Sequence, residues 1–158
     1  MKRILILLML FCSWFIPRDD RSEYTNIQES FFYAQKVRVI VNGDSYLFEF
    51  SGDFYDGLMS EMRAVFKGSY QVPSLGVSLD KTTREDMQTG YWVEFLFENV
   101  SYNSDMPFES LLIKLENNSY GLNVIRKYQD KYEGRNFYIN LKRDTSNLYR
   151  YIKNNYNK

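Results

Sequence analysis

Histidine is absent from this 158-residue sequence, and cysteine occurs once, as Cys12. Without histidine the chain has no Ser-His-Asp or Cys-His catalysis, no histidine zinc site and no histidine pH switch. Because Cys12 lies in the apolar N-terminal run, the remainder of the chain has no disulfide, thiolate nucleophile or cysteine metal ligand. The sequence also lacks an EF-hand calcium loop, a glycine-rich phosphate loop and a G-x-S-x-G elbow. We therefore expect neither a metal nor a cofactor.

Aromatic side chains are abundant, with 14 Tyr and 12 Phe, whereas alanine occurs only at Ala34 and Ala64. The length corresponds to one domain, and the apolar content excludes disorder as the main state. We predict a single domain over residues 36–156. Residues 18–35 before it are interpreted either as a polar tether or as a short helix carrying Ile27 and Phe31.

Residues 1–17 have the pattern of an export signal. Lys2 and Arg3 precede an apolar run, 4–16, which would span only about 20 Å as a helix, against about 30 Å for a hydrocarbon core. Three outcomes are open: a cleaved signal peptide, a retained N-terminal anchor, or lipidation of Cys12 after cleavage. The lipidation pattern is imperfect because Phe11 stands where Gly or Ala is expected. Each outcome predicts an extracytoplasmic protein, secreted or tethered to the outer side of the membrane.

Alternation of apolar and polar residues predicts most of the strands. The clearest set is a four-strand meander over 91–98, 108–116, 120–128 and 135–142. Residues 36–50 predict a hairpin in which either Asn42-Gly43 or Gly43-Asp44 forms the loop, so two registers remain open. A further strand is predicted over 70–79. The alternation indicates antiparallel strands with one buried face and one largely wet face.

Two main helices are predicted over 53–66 and 144–155, with a helical turn over 80–86. Phe54, Leu58 and Met62 recur every four residues and make an apolar stripe on the first helix, which can pack on a sheet. The fold class is therefore α+β. It has an antiparallel sheet of six to seven strands, a hairpin plus a four-strand meander, and two main helices packed mostly on one face.

Candidate binding residues are the side chains that the core does not use. They lie on the outer face of the meander, in the irregular 101–108 loop or in the basic C-terminal part, and are Trp92, Glu94, Tyr138, Met106, Phe108, Arg126 and Arg135. An exposed Trp92 could stack on a sugar or anchor a partner, and the alternative is that a helix covers it. Glu94 and Glu98 share a face but lie about 13 Å apart on one strand, too far for a glycosidase pair.

Partners are constrained mainly by charge. Residues 126–158 contain nine basic and three acidic side chains, which indicates either an anionic partner or a solvated face that pairs with the acidic part of the same fold. The export signal argues against nucleic acid, so we expect a non-enzymatic, envelope-associated module that binds an envelope protein or a surface polymer. The N-terminus could add a membrane association. The alternative is an extracytoplasmic hydrolase using carboxylates and tyrosine, although no catalytic residue can be assigned.

Four segments carry a resemblance to known sequences: GVSLD at 76–80, GYWVEF at 90–95, MPFESLLI at 106–113 and YEGR at 132–135. Together they resemble small uncharacterised proteins of low-GC Gram-positive bacteria over roughly residues 50–151. The resemblance implies a bacterial origin and brings no activity, cofactor or catalytic residue with it.

Overall fold

An eight-stranded sheet forms the centre of the computed structural model, which describes residues 22–74 and 76–157. The strands are β1 Ser22–Glu23, β2 Lys36–Val41, β3 Asp44–Glu49, β4 Tyr70–Val72, β5 Val77–Ser78, β6 Tyr91–Asn103, β7 Met106–Leu115, β8 Gly121–Lys127, β9 Gly134–Arg135 and β10 Phe137–Asn140. The helices are α1 Ile27–Ser30, α2 Asp53–Phe66, α3 Asp80–Asp86 and α4 Ser146–Asn155, and a 3-10 turn spans Phe31–Tyr33. The predicted α+β class is confirmed.

The strand order is β3-β2-β6-β7-β8-β10-β4, with β1 added in parallel to the end of β6. The predicted meander is confirmed, because β6, β7, β8 and β10 are antiparallel neighbours in this order. The hairpin β2–β3 extends the sheet on the β6 side. Strands β5 and β9 form a separate small sheet.

The hairpin loop is Asn42-Gly43, which decides between the two open registers. Val41 pairs with Asp44 and Val39 with Tyr46. Asn42 and Gly43 both have positive φ, 50° and 90°, which is the backbone of a tight two-residue hairpin turn. The Asn42 side chain also accepts a hydrogen bond from the Gly90 amide at 3.0 Å, so the loop is joined to the start of β6.

Three strand predictions are corrected. The predicted loop after residue 98 is mostly strand, since β6 continues through a register shift to Asn103 and turns at Ser104, whose φ is 55°. The predicted strand 70–79 is two short strands in different sheets, because Pro73, which lacks an amide hydrogen, interrupts the ladder. The predicted strand 135–142 divides at Asn136, whose amide donates to the Gly76 carbonyl rather than continuing a ladder.

The main core lies between one sheet face and α1, α2 and α4. Helix α2 has the predicted bounds and presents its apolar stripe to the sheet, and α4 packs beside it. Gly57 allows this helix pairing, because a Cβ built there would overlap the Tyr151 hydroxyl, which donates to the Phe54 carbonyl at 3.0 Å. None of the helices in residues 22–74 and 76–157 is long and apolar enough to cross a membrane.

Residues 22–35 belong to the folded domain. The predicted short helix is present as α1, and Ile27 and Phe31 are fully buried in the main core. The alternative interpretation as a polar tether does not hold for this part, since burial of these apolar side chains fixes it on the sheet. Residues 1–17, with Cys12 and the predicted export signal, lie outside the described residues.

The prediction of one largely wet sheet face is wrong at the centre of the sheet. A second apolar cluster of Ile40, Trp92, Leu112 and Tyr132 lies on the face opposite the main core. Met87, which follows α3, packs against this cluster, and so α3 and the segment around Tyr132 cover the face. Alternation within a strand shows that its faces differ, but it does not show what folds over the second one.

Candidate functional site

Glu94 is the buried polar centre of this second face. Strand pairing places Arg38 of β2 directly opposite Glu94 of β6, and the Arg38 Nη1 donates to Glu94 Oε2 at 2.8 Å. Glu94 Oε1 accepts from the Ser110 hydroxyl at 2.6 Å and from the Tyr132 hydroxyl at 2.7 Å. The Glu94 side chain is 0% exposed, so these three donors, rather than water, stabilise its carboxylate.

This network fixes the positions of Arg38 and Tyr132. A buried carboxylate without partners is strongly unfavourable, so both neighbours are held against Glu94. Burial first, and then the negative charge of Glu94, raise the pKa of Tyr132 far above its usual value. The Tyr132 hydroxyl therefore stays protonated as a donor, and both Glu94 oxygens are occupied. The network therefore holds Arg38 and Tyr132 in fixed positions on this face of the sheet.

A pocket of about 330 Å³ opens above this network. We call it the cationic pocket, because three of its lining side chains are basic and, among the described residues, none is acidic. Its lining comprises Arg38, Ile40, Gly43, Ser45, Arg84, Met87, Gln88, Lys127 and Tyr132. The basic residues come from β2, α3 and β8, which only the folded chain brings together.

Tyr132 and Asp80 hold two of these cations in place. The Arg84 Cζ lies 5.2 Å and the Lys127 Nζ 5.4 Å from the centre of the Tyr132 ring, both within cation–π range. Asp80 accepts from Arg84 Nε at 2.9 Å and from the Tyr132 amide at 2.9 Å. These hydrogen bonds, first from Arg84 and then from Tyr132, hold the pKa of Asp80 below its usual value. Asp80 therefore positions residues of the pocket wall.

Asp130 lies on a tight turn and contacts two of the pocket cations. Its carboxylate Oδ1 is 2.8 Å from Lys127 Nζ and 4.0 Å from Arg84 Nη2, while its carbonyl accepts from Arg84 Nη2 at 2.7 Å. The hydrogen bond and charge of Lys127 lower the pKa of Asp130. The Asp130 side chain is 84% exposed, so this anion faces solvent while it contacts the pocket cations.

The predicted site residues do not form one site. Trp92 is 3% exposed, its Nε1 donates to the Thr89 carbonyl at 2.9 Å, and Lys114 lies 5.6 Å from its ring centre. Of the two interpretations of Trp92, the exposed one is therefore wrong and the covered one holds. Phe108 is fully buried in the main core and likewise presents no surface, because β7 already begins at Met106. Of the seven candidates, only Glu94 belongs to the network under the cationic pocket.

A second group of candidates lies near the β6–β7 turn. Arg126 donates to the carbonyls of Pro107 and Arg135, at 2.9 and 3.2 Å, and Arg135 pairs with Asp105 at 3.1 Å. Burial, and then the charge of Arg135, lower the pKa of Arg126. The structure thus brings Arg126 and Arg135 together.

Met106 and Tyr138 do not line the cationic pocket. The half-buried Met106 packs against the main core. Tyr138 lies over Gly121, where a Cβ would overlap its hydroxyl, and it lines a separate cavity with Asn123 and Asn136.

Sequence reasoning missed Arg38, Arg84, Lys127 and Tyr132 as members of one site. Arg38 and Glu94 are 56 positions apart, and Tyr132 and Glu94 are 38 apart, so no local spacing relates them. The useful signal was that alternation placed Glu94 on the outer face of its strand. The order of the strands and the position of α3 were needed to unite it with the other residues of the site.

Comparison with known proteins finds no match: no family model fits the sequence, and no curated protein or solved structure is significantly similar to it. Within residues 22–74 and 76–157, no three Asp or Glu side chains come together as a metal site would require. The fold and the pocket define the chain as an α+β protein with a cation-lined pocket on one face of an antiparallel sheet.

Proposed function

We propose that this protein is an exported binding module that recognises an anionic group of an envelope protein or surface polymer through the cationic pocket. One observation carries the proposal: Arg38, Arg84 and Lys127, from three separate elements, line one open pocket. Converging cations beside an apolar floor are typical of sites that orient an anionic ligand.

The charged wall of the pocket is preorganised. Arg38 is held by the buried Glu94 at 2.8 Å and remains 35% exposed toward solvent. A guanidinium has five N–H donors, and the described hydrogen bonds of Arg38 use one of them, to Glu94. A ligand oxyanion can therefore bind Arg38 without breaking the network beneath it, which lowers the entropic cost of binding.

Binding is favoured over the alternative of a hydrolase. A catalytic carboxylate must reach the substrate, but Glu94 is fully buried and both its oxygens already accept hydrogen bonds. The Tyr132 hydroxyl donates to Glu94 and its pKa is raised, so it is a poor proton source at neutral pH. These features suit a rigid support for the basic side chains.

The binding test compares two lysine-to-glutamine variants, each of which removes one positive charge from the protein. Lys127→Gln removes a pocket cation, whereas Lys36→Gln removes a cation of β2 that forms an exposed pair with Glu49 of β3. We expect the full-length protein to bind polyphosphate-coated beads at low salt, and Lys127→Gln to weaken this about tenfold, the value of one charged hydrogen bond. Lys36→Gln should bind as the wild type does. Equal losses in both variants, or none in either, would contradict a role for the pocket.

Export is tested on the native protein. The proposal rests on the basic residues Lys2 and Arg3 before the apolar run 4–16. We expect the protein in the extracytoplasmic fraction, and mass spectrometry of its N-terminus distinguishes a cleaved, a retained and a Cys12-lipidated form. Recovery only from the cytoplasm with an intact Met1 would refute export.

A further inference from the structure

The Asp130 carboxylate contacts two of the three cations that line the cationic pocket. It lies 2.8 Å from the Lys127 ammonium and 4.0 Å from the Arg84 guanidinium. Because it is 84% exposed, solvent screens this contact, and an exposed ion pair adds little to stability. Because the Asp130 carboxylate is held only weakly, an anionic ligand from solution can replace it at Lys127 and Arg84.

Asp130 lies in a tight backbone turn. Gln129 and Asp130 have φ of 49° and 60° and form a two-residue turn closed by hydrogen bonds between Tyr128 and Lys131. Aspartate, like asparagine and glycine, is among the residues that adopt this left-handed backbone most readily. The turn thus holds the Asp130 carboxylate in contact with the pocket cations.

Replacing the Asp130 carboxylate would leave donors for a ligand. An ammonium has three donors, and Asp130 is the one carboxylate that Lys127 contacts among the described residues. Arg84 would keep Asp80 through its Nε and the Asp130 carbonyl through its Nη2. The wall of the pocket therefore stays assembled when the carboxylate leaves.

We infer that the ligand of the cationic pocket is an oxyanion, a phosphate or carboxylate group, which binds Lys127 and Arg84 by displacing the carboxylate of Asp130. This inference rests on the proposed function and adds the ligand chemistry and an internal competitor. A carboxylate already fits between these cations, so groups of similar size and charge are the appropriate ligands. Asp130 then competes with the ligand, and so raises the concentration of external oxyanion that is needed for binding.

The experiment follows backbone amide shifts of the full-length protein during titration with sodium phosphate and, separately, sodium acetate. Sodium chloride at matched ionic strength is the reference for screening. Asp130→Asn removes the competing charge, while asparagine still accepts the left-handed backbone. Asp105→Asn is the matched control, since it makes the same charge change at an exposed pair with Arg135.

We expect Asp130→Asn to tighten binding of the oxyanion about threefold to fivefold, the fold-change equivalent to an exposed ion pair, and Asp105→Asn to leave it unchanged. The phosphate and acetate arms show which oxyanion binds more tightly. Unchanged or weaker binding in Asp130→Asn, with Lys127→Gln still impaired, would overturn the competition and leave the proposed function standing. No saturable response to either oxyanion, in the wild type or in Asp130→Asn, would overturn both.

Discussion

The guanidinium of Arg38 and the carboxylate of Glu94 meet at 2.8 Å across strands β2 and β6, at the boundary between the buried sheet and an open pocket. Glu94 is fully buried, whereas Arg38 remains 35% exposed. One side of this ion pair therefore belongs to the core, and the other side contributes to the surface that we assign to ligand binding.

Removing the Glu94 carboxylate should destabilise the protein strongly. Glu94→Ala leaves the Tyr132 and Ser110 hydroxyls and the Arg38 guanidinium without their acceptor. We expect a loss of about 3 kcal/mol in the free energy of unfolding, at the lower end for a broken buried pair, because Arg38 can still reach water. Urea denaturation measures this loss.

The matched control for Glu94 is Glu49, whose pair with Lys36 is exposed on both sides. Glu49→Ala should change the free energy of unfolding by less than about 1 kcal/mol, as is usual for surface ion pairs. Similar losses in both variants would show that burial of the Glu94 network contributes no stability of its own.

Gly57 should not tolerate alanine despite its position within α2. Alanine favours a helix over glycine by about 1 kcal/mol, but a Cβ at this position overlaps the Tyr151 hydroxyl of α4. We expect Gly57→Ala to lower the free energy of unfolding by about 1–3 kcal/mol, the usual cost of overpacking. Thermal denaturation monitored by circular dichroism provides the measurement.

A double-mutant cycle separates the steric effect at Gly57 from helix propensity. In a Tyr151→Leu background the overlapping hydroxyl and ring are gone, so Gly57→Ala should become neutral or stabilising. If alanine is equally unfavourable in both backgrounds, the contact between α2 and α4 is not the reason for glycine at this position.

Asp80 should contribute stability that disappears in acid. Its folded-state pKa is lowered by hydrogen bonds from Arg84 and the Tyr132 amide. A lowered folded pKa gives stability that is present above the unfolded value, about pH 4 for aspartate, and lost as the pH falls through the folded value. Asp80→Asn should therefore be less stable than the wild type at neutral pH, and the difference should narrow below about pH 4. Urea denaturation across this pH range would contradict the assignment if the difference stayed constant.

Local patterns predicted the elements, and the structure explains why. The Asn42-Gly43 turn, the bounds of α2 and the meander depend on residues close in sequence, where turn chemistry and periodicity act directly. Strand ends were less accurate, since a ladder can continue through polar residues, as β6 does to Asn103. Neighbouring strands supply hydrogen bonds that local polarity does not reveal.

Of the residues at the candidate site, only Glu94 was identified from the sequence, and this was because Glu94 was expected to be exposed. Glu94 and Trp92 were chosen as exposed side chains on a wet face, yet both are buried beneath α3 and Tyr132. The surface formed above them contains Arg38, Arg84 and Lys127 instead. A sequence shows which residues share a strand face, but coverage of that face depends on distant segments.

The sequence by itself determined the absence of histidine chemistry, the α+β class and the segments that become hairpin, meander and main helices. These follow from composition and from periodicities of two and 3.6 residues, which are local properties of the chain. Tertiary structure alone decided that Arg38 faces Glu94 and that α3 and the segment around Tyr132 cover the second face. The reason is that a buried charge requires partners, and these come from strands and loops far apart in sequence that meet only when the sheet assembles.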